Sequence, residues 1–393
     1  MSWTDIGSRR RVAIVFGIWA VSALPLLAGE EETPELDVPY VPTHQKAVEE
    51  MLNLAKVTGK DYVIDLGCGD GRIVITAAKK YKARCLGVDL DPRRIRESNK
   101  NASQAGVTKL VTFRKADVMD TDVRQASVVT LFLLEAVNVR LRPRLFAQLK
   151  PGTRVVSNGF HMRDWKADKT VRHEEAYNRV IYRWIIPAPV GGTWTWQGSL
   201  AGKQTAYSLK LEQEFQVVRG ELSLPQAAAA PIAEPSLAGK ELRFTASVPV
   251  GKEKVVVAYR GLADGDVLRG TQEWRGGPQA GTHPWLAKRN AVNLTGRWQI
   301  RPARRPRWNG TLRIQRKDGK LSATYVRDAE PKKELPVPGF YVWGSSLRFE
   351  VATDGWSAMA FSGSLEGDTG SGSAGREQAK RRTPWSAKRL PKK

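Results

Sequence analysis

The chain has 393 residues, of which 41% are hydrophobic and 13 are tryptophan, and its formal net charge is +23. This length predicts two or three folded units, and the apolar content excludes wholesale disorder. About half of the excess charge lies in residues 291–393, where 21 Lys and Arg accompany 9 Asp and Glu. No nucleic-acid-reading motif accompanies this charge. We therefore expect an anionic surface, an acidic partner or solubility to explain it, and not nucleic acid.

The N-terminal segment resembles a targeting signal. Three arginines at 9–11 precede an apolar run over residues 12–28, and three glutamates follow at 30–32. A basic, then apolar, then small-residue order is typical of a secretory signal peptide, and the run is also long enough for an uncleaved anchor. A buried first helix is the alternative. Residues 1–29 thus predict export or membrane association in the cell envelope or periplasm, although a cytoplasmic location of the following domain stays open.

The next part of the chain alternates helical and strand patterns. The expected helices cover residues 44–56, 73–78, 92–105 and 139–149, and the expected strands cover 62–64, 84–88, 111–113, 128–133 and 154–157, with a closing antiparallel pair at 175–186. Strands that alternate with helices predict a parallel, doubly wound sheet. We expect an α/β Rossmann-like domain over residues 35–187. Cys68 and Cys85 fall in this region, and their positions give no sign of a structural disulfide.

The remaining sequence is all β and repeats itself. Three anchors recur in the same order at offsets of 104, 105 and 100 residues: Gly-x-Trp at 192 and 296, Leu-Arg-Phe at 242 and 347, and Pro-Trp-x-Ala-Lys-Arg at 284 and 384. The repeat predicts two all-β modules, 192–289 and 294–389, each a small barrel or sandwich, before a basic tail at 390–393. The repeated tryptophans are expected to pack in the cores, with a ligand cavity as the alternative.

One motif carries the strongest chemical signal. Residues 65–71 read Asp-Leu-Gly-Cys-Gly-Asp-Gly and join a predicted strand to a predicted helix. Glycines let the backbone approach a ligand closely, and a helix start supplies free amides. Asp89 follows the second strand, where a carboxylate accepts ribose hydroxyls. Asp117 follows the third strand, where its carboxylate or the adjoining amide would meet an adenine. The pattern predicts a nucleoside cofactor.

These motifs together resemble the class I S-adenosylmethionine-dependent methyltransferases, over about residues 37–186. A narrower resemblance is to the small seven-strand protein-lysine methyltransferases of the mitochondrial type and their bacterial relatives. It rests on residues 38–43 (VPYVPT), 65–73 (DLGCGDGRI) and 155–160 (VVSNGF).

The resemblance implies S-adenosyl-L-methionine as cofactor. In that family the first stretch folds over the cofactor, so Tyr40 and Thr43 become expected lid residues; for Tyr40, a packed aromatic at a loop corner is the alternative. The full set of cofactor-binding residues implied is Tyr40, Thr43, Asp65, Gly67, Cys68, Gly69, Asp70, Asp89, Asp117 and Val118.

The acceptor side is less marked. Residues 131–136 read Leu-Phe-Leu-Leu-Glu-Ala and lack the Asn/Asp-Pro-Pro-Tyr of DNA and glutamine methyltransferases. Methyl transfer to an amine mainly requires alignment of a deprotonated nitrogen, and Glu135 or Asn158 could accept a hydrogen bond from it. A solvated carboxylate at a helix start is the alternative for Glu135. The expected acceptor is an amine such as protein lysine, and no metal-ligand spacing is present.

A second function class fits the same sequence. The N-terminal signal favours an exported or membrane-anchored binding protein whose methyltransferase fold is non-catalytic and whose β-repeats bind a ligand. The intact glycine loop and the two acids at Asp89 and Asp117 favour the enzyme.

Overall fold

The computed structural model describes residues 38–173, 179–290, 292–317, 320–337, 339–353, 356–376 and 382–391. The predicted signal or anchor at 1–29 lies outside these residues, so the localisation stays a prediction. Within the described residues, no helix is both long enough and apolar enough to cross a membrane.

The first domain consists of a seven-stranded sheet, which we call the first sheet, and four helices. The strands are β1 Tyr62–Leu66, β2 Arg84–Asp89, β3 Val111–Lys115, β4 Val128–Leu131, β5 Arg154–Asn158, β6 Lys169–His173 and β7 Arg179–Ile185, and the helices are α1 Gln45–Leu54, α2 Arg72–Tyr81, α3 Pro92–Gln104 and α4 Glu135–Gln148. The strand order is β3-β2-β1-β4-β5-β7-β6. Strands β1 to β5 are parallel, and β7 pairs antiparallel with both β5 and β6. This is the doubly wound sheet that the alternating pattern predicts.

The two faces of this sheet carry separate cores because successive strand residues point to opposite sides. In β1, Val63 packs in the core that α1, α2 and α3 cover. Its neighbours Ile64 and Leu66 pack in the opposite core, which α4 covers through Leu141 and Leu145.

Three details differ from the sequence-based expectation. Helix α4 begins at Glu135, four residues before the predicted start. The sequence pattern missed this first turn because the polar residues Asn138 and Arg142 interrupt the apolar pattern of the buried face. Strand β4 ends at Leu131, not 133. The closing pair consists of β6 and β7, whereas the prediction placed it at 175–186; residues 174–178 lie outside the described residues.

All later strands are antiparallel and form two further sheets. The first contains β8 Gly192–Leu200, β9 Lys203–Glu214, β10 Val217–Leu224, β11 Ala227–Pro231, β12 Ala233–Ala238, β13 Glu241–Val250, β14 Glu253–Asp264, β15 Val267–Trp274 and β16 Gly281–Arg289. The second contains β17 Gly296–Pro302, β18 Gly310–Lys317, β19 Lys320–Arg327, β20 Glu334–Pro336, β21 Tyr341–Trp343, β22 Ser346–Thr353, β23 Trp356–Glu366, β24 Thr369–Arg376 and β25 Thr383–Leu390.

The two sheets have the same topology. Their orders are β11-β10-β9-β8-β16-β15-β14-β13-β12 and β20-β19-β18-β17-β25-β24-β23-β22-β21, which coincide when each number is raised by nine. Each sheet curls, so that β10 approaches β12 and β20 approaches β22. These sheets are compatible with two β-modules, which we call module 1 (192–289) and module 2 (296–390).

The repeated sequence anchors occupy equivalent positions. Trp194 and Trp298 are both fully buried, and each indole N–H donates to the carbonyl four residues earlier, at 2.8 and 2.9 Å. Arg289 and Arg389 lie over these rings at 4.9 and 4.2 Å. The repeated tryptophan therefore packs in each core, and its buried indole N–H is satisfied by a backbone carbonyl.

A buried charge cluster joins module 2 to α4. Arg142 of α4 and Arg348 of β22 each expose only 1% of their side chains. Both donate to Asp164, each at 2.5 Å, and both reach Glu350, at 3.4 and 2.8 Å. Glu214 of module 1 completes the cluster through Arg348, at 3.3 Å. Every carboxylate of the cluster thus contacts a guanidinium.

Aromatic side chains and one glutamine surround this cluster. Phe146 of α4 lies 5.5 Å from Tyr341 and 5.6 Å from Phe215, measured between ring centroids. Gln213 is buried, and its side-chain oxygen accepts from the amides of Val190 and Gly191 at 2.7 and 3.1 Å. The connection between the first sheet and module 1 is therefore fixed by hydrogen bonds.

We expect Arg348→Met to lower the free energy of unfolding by about 2 kcal/mol, because the partly buried carboxylates of Asp164, Glu350 and Glu214 each lose a charged hydrogen-bond partner. Arg124→Met is the matched control: Arg124 pairs with Asp122 at 2.5 Å, but both side chains are more than half exposed, so its loss should cost about 0.5 kcal/mol or less. Urea unfolding monitored by tryptophan fluorescence compares the two variants. Equal effects would contradict an energetic role of the buried cluster.

Candidate functional site

The site lies where the parallel strand order reverses. Strands β1 and β4 are neighbours, but the chain leaves β1 toward β2 on one side and leaves β4 toward β5 on the other. The carboxyl ends of such strands open a crevice in which ligands bind. Residues 67–71 follow β1 at this edge, with Asp65 near the end of the strand, and residues 132–134 connect β4 to α4.

The glycine loop requires its glycines. Gly67, Gly69 and Gly71 all have positive φ, at 81°, 54° and 82°. A Cβ on Gly69 would come within 2.5 Å of the Tyr40 ring, and a Cβ on Gly71 within 2.6 Å of the Phe113 ring. Only residues without a side chain can adopt this backbone at this distance from the neighbouring rings.

Asp65 stands behind the loop with one unsatisfied oxygen. Its side chain is buried, and Oδ1 accepts from the Thr130 hydroxyl at 2.7 Å. Oδ2 is buried and has no hydrogen-bond partner. Burial raises the pKa of Asp65 to about 7, with Asp89 and Asp70 adding to the effect and Thr130 opposing it. A buried polar atom without a partner costs free energy, so this oxygen is available for a ligand.

Asp89 is held in place by the backbone. Its Oδ2 accepts from the Gly69 amide at 2.9 Å, and its Oδ1 accepts from the Asp91 amide at 2.9 Å. A carboxylate oxygen can accept a second hydrogen bond. The two amides therefore orient Asp89 and leave it able to accept hydrogen bonds from a ligand.

The residues before α1 are fastened to the loop by Arg72. Arg72 donates to both Asp70 oxygens and, at 2.6 Å, to the carbonyl of the buried Thr43. Burial tends to raise the pKa of Asp70, but the Arg72 contacts outweigh it and hold that pKa below its usual value. Tyr40 covers Gly69, and the Arg94 guanidinium lies 4.4 Å from the Tyr40 ring. Tyr40 and Thr43 therefore lie against the loop.

The other predicted cofactor residues lie at the same edge. Asp117 is exposed, and its Oδ1 accepts from the Met119 amide at 2.7 Å; the adjoining Val118 is half-buried. Ala116 donates to the Asp89 carbonyl at 3.0 Å, which ties this turn to the end of β2. Cys68 is buried, and burial raises the pKa of its thiol.

On the opposite side of the crevice, two buried asparagines have unsatisfied oxygens. Asn158 ends β5 and Asn138 lies in α4; neither side-chain oxygen has a hydrogen-bond partner. The Asn138 amide nitrogen donates to Ser157 Oγ and to the Phe160 carbonyl, each at 3.2 Å. Asn138 was not predicted, because a single polar residue within a helix gives no periodic signal.

Glu135 is engaged by two basic side chains. Its Oε1 accepts from Arg163 Nε at 2.8 Å, and its Oε2 lies 3.1 Å from His161 Nε2. Neither partner was predicted, since both lie in the irregular segment after β5. The Glu135 side chain is about one-third exposed, and the two interpretations of it, a contact to the acceptor amine and a solvated carboxylate, stay predictions.

The pKa of Asp65 predicts a pH-dependent effect of Asp65→Asn in the protein without cofactor. Because the folded pKa of about 7 exceeds that of an unfolded aspartate, ionisation opposes folding. This cost is absent below about pH 4, grows as pH rises and is complete above pH 7. The variant should therefore be the more stable protein at pH 8, by up to about 4 kcal/mol at 1.36 kcal/mol per pKa unit, and the gain should shrink toward pH 5.

Asp61→Asn is the control with the opposite sign. Hydrogen bonds from Ser127, Thr58 and Arg154 outweigh burial and hold the pKa of Asp61 below its usual value. Its ionisation therefore favours folding above the unfolded pKa, and Asp61→Asn should lose stability at pH 8. Urea midpoints at both pH values test the pair. A pH-independent effect of Asp65→Asn would show that its carboxyl does not titrate in this way.

Comparison with known proteins places the first sheet in a family. Residues 65–169 match the model of the ANTKMT methyltransferase domain. A protein-lysine N-methyltransferase from Saccharolobus islandicus is 46% identical over 151 residues, which are 38% of this chain and 94% of that protein. The adenine nucleotide translocase lysine N-methyltransferase of Mus musculus is 34% identical over 39% of this chain and 65% of that protein.

One solved structure is also similar in sequence. It is an RNA methyltransferase from Salinibacter ruber in complex with S-adenosyl-L-homocysteine, 49% identical, covering 37% of this chain and 93% of that one, with a TM-score of 0.36.

The residues present fit the cofactor of this family. The glycine loop leaves no room for side chains, and Asp65 offers a buried oxygen without a partner. Both features suit a nucleoside-bearing ligand at the switch point of the sheet. S-adenosylmethionine is the cofactor, and the chain belongs to the class I S-adenosylmethionine-dependent methyltransferases of the small protein-lysine methyltransferase type.

Proposed function

We propose that this methyltransferase methylates the side-chain amine of lysine in a protein substrate. The observation that carries the proposal is the 46% identity to a protein-lysine N-methyltransferase of which the chain covers 94%. Two mouse relatives act on lysines of the adenine nucleotide translocase and of ATP synthase, as their names state. The same comparisons do not favour a non-catalytic binding protein.

We further propose roles for the residues around the glycine loop. When bound, S-adenosylmethionine supplies a methyl group activated by its sulfonium. Asp89 would accept the ribose hydroxyls, Asp117 and Val118 would meet the adenine, and Tyr40 would cover the ligand. The remaining contacts would come from Thr43, Asp65, Gly67, Cys68, Gly69 and Asp70. The contacts that support these roles are the hydrogen bonds that orient Asp89 and the Arg72 fork that holds Thr43.

The acceptor would enter from the side of β4 and β5. Asn158 has a buried oxygen without a partner, and accepting an N–H there would orient the amine lone pair toward the methyl group. The rings of Phe132 and Phe160, 6.2 Å apart, offer an apolar surface for the lysine stem. Glu135 pairs with Arg163 and His161. Its role would therefore be to position the segment after β5, and not to remove a proton from the acceptor amine. Catalysis would then depend on alignment.

Modules 1 and 2 lie outside the region shared with the relatives. We propose that they recruit the substrate or tether the enzyme. Their sequence-predicted boundaries, residues 192–289 and 294–389, stay predictions beside the strand limits of the structure. The predicted envelope location would bring the modules to exported or membrane-associated proteins.

The acceptor is tested with isotopically labelled S-adenosylmethionine and protein fractions, followed by hydrolysis and separation of the labelled amino acids. Methyl-lysine is the expected product. Asn158→Ala should reduce methyl transfer roughly tenfold, the loss of about 1.4 kcal/mol, while the cofactor Kd stays unchanged. Asn99→Ala is the control, because the Asn99 amide bonds only within α3. Label in RNA and not in protein, or in a base-labile ester, would contradict the lysine proposal.

The glycine loop yields a second test. Gly69→Ala should weaken S-adenosylmethionine binding roughly tenfold or more, because its Cβ would displace the Tyr40 ring. Gly106 is a matched control: its φ is also positive, at 68°, but a Cβ there would meet nothing within 4 Å. Gly106→Ala introduces a similar strain from a positive φ but no steric contact, so it should leave the Kd nearly unchanged. Calorimetry on both variants separates the two effects, and similar Kd values would remove Tyr40 from the pocket.

A further inference from the structure

The two modules differ most clearly in one connection. In module 1, β8 and β9 are joined by the two-residue turn 201–202. In module 2 the equivalent strands β17 and β18 are joined by residues 303–309, which include a short 3-10 helix at Pro306–Trp308. This longer connection carries Arg304, Arg305 and Arg307. Since the shared topology closes the same gap with two residues in module 1, the strand order does not require the three arginines of this loop.

The loop forms one wall of a cavity of about 400 Å³. The other wall is formed by Arg382 and Thr383, at the start of β25. The lining residues are Arg304, Arg305, Pro306, Arg307, Arg382 and Thr383. Four of the six residues that line this solvent-open cavity are therefore arginines, and none of the six is acidic.

The loop is fixed by buried contacts. Trp308 is 3% exposed, and its carbonyl accepts from the Tyr325 hydroxyl at 2.5 Å. The Arg304 amide donates to Thr383 Oγ1 at 3.2 Å. On the other wall, Arg382 Nη2 donates to the Ala360 and Ser373 carbonyls at 3.2 and 3.3 Å. The loop backbone and the Arg382 side chain are therefore held in place, which lowers the entropy lost when a ligand binds between them.

Two acids near the loop pair with other arginines. Asp328 pairs with Arg301 at 3.0 Å, and Glu330 pairs with Arg327 at 2.6 Å. Across the described part of the chain, Arg304 and Arg305 form no ion pair. A bound anion would therefore pair with Arg304 and Arg305 without displacing an existing ion pair.

We propose that this cavity binds a small anion that carries a phosphate group. Guanidinium groups match phosphate oxygens through paired hydrogen bonds, and the volume lies in the range of small-ligand pockets. A polymeric nucleic acid would instead call for a basic stripe along the surface. The geometry therefore favours a compact phosphate ligand. This inference is independent of the methyl-transfer proposal.

Calorimetry of the full chain with inorganic phosphate and with pyrophosphate, at physiological ionic strength, tests the proposal. Pyrophosphate should bind with one site per chain. The double variant Arg304→Gln/Arg305→Gln should weaken it roughly tenfold or more. Arg304→Lys/Arg305→Lys keeps the charge and removes the fork, so it should also bind more weakly. The matched control is Arg269→Gln/Lys288→Gln, which removes two charges from a cavity of module 1 and should leave the affinity unchanged.

Melting temperatures of all variants exclude unfolding as a cause. Absence of pyrophosphate binding by the wild-type chain would overturn the proposal, as would an equal loss in the control variant, which would show attraction by net charge alone. In a parallel arm with phosphatidic acid vesicles, loss of vesicle binding in the Gln variant without any soluble phosphate binding would assign the cavity to a lipid surface and also overturn it.

Discussion

Two buried arginines determine how the parts of this chain fit together. Arg142 and Arg348 are almost completely removed from solvent, and burial of a charge is tolerated only where opposite charges and hydrogen bonds compensate it. The compensating groups come from three places: Asp164 after β5, Glu350 in module 2 and Glu214 in module 1. Arg142 and Asp164 belong to the first domain, and Arg348 and Glu350 belong to module 2, but each arginine also pairs with the carboxylate of the other part. The full set of ion pairs therefore forms only when the first sheet and the modules are assembled.

The two sides of the catalytic crevice consequently have different support. On the cofactor side, the glycine loop, Asp89 and Thr43 are held by hydrogen bonds within residues 38–120. On the other side, next to β4 and β5, α4 carries Asn138 and Glu135, and the segment after β5 carries His161 and Arg163. Both elements are anchored by the buried cluster, through Arg142 and Asp164. The position of this side of the crevice is therefore tied to module 2, which lies outside the region that matches the relatives.

The two modules illustrate how one topology acquires different surfaces. Their strand orders and tryptophan positions coincide, yet the Leu-Arg-Phe motif places its arginine in opposite environments. Arg243 of module 1 is exposed and pairs with Glu241 at 2.6 Å. Its counterpart Arg348 is buried against the first sheet. The second difference is the loop of residues 303–309 that carries Arg304, Arg305 and Arg307. Module 1 has a two-residue turn at the equivalent position.

The sequence alone determined the alternating α/β sheet, the glycine loop with its following acids, and the β-repeat, because periodicity, turn residues and strand-end carboxylates are local signals. Only the tertiary structure decided that Glu135 is paired with Arg163 and His161, that Asn138 and Asn158 have buried oxygens without partners, and that Arg348 is buried whereas Arg243 is exposed. Burial and pairing depend on which distant segments come into contact. The same sequence, Leu-Arg-Phe, therefore contains an exposed arginine in module 1 and a buried arginine in module 2.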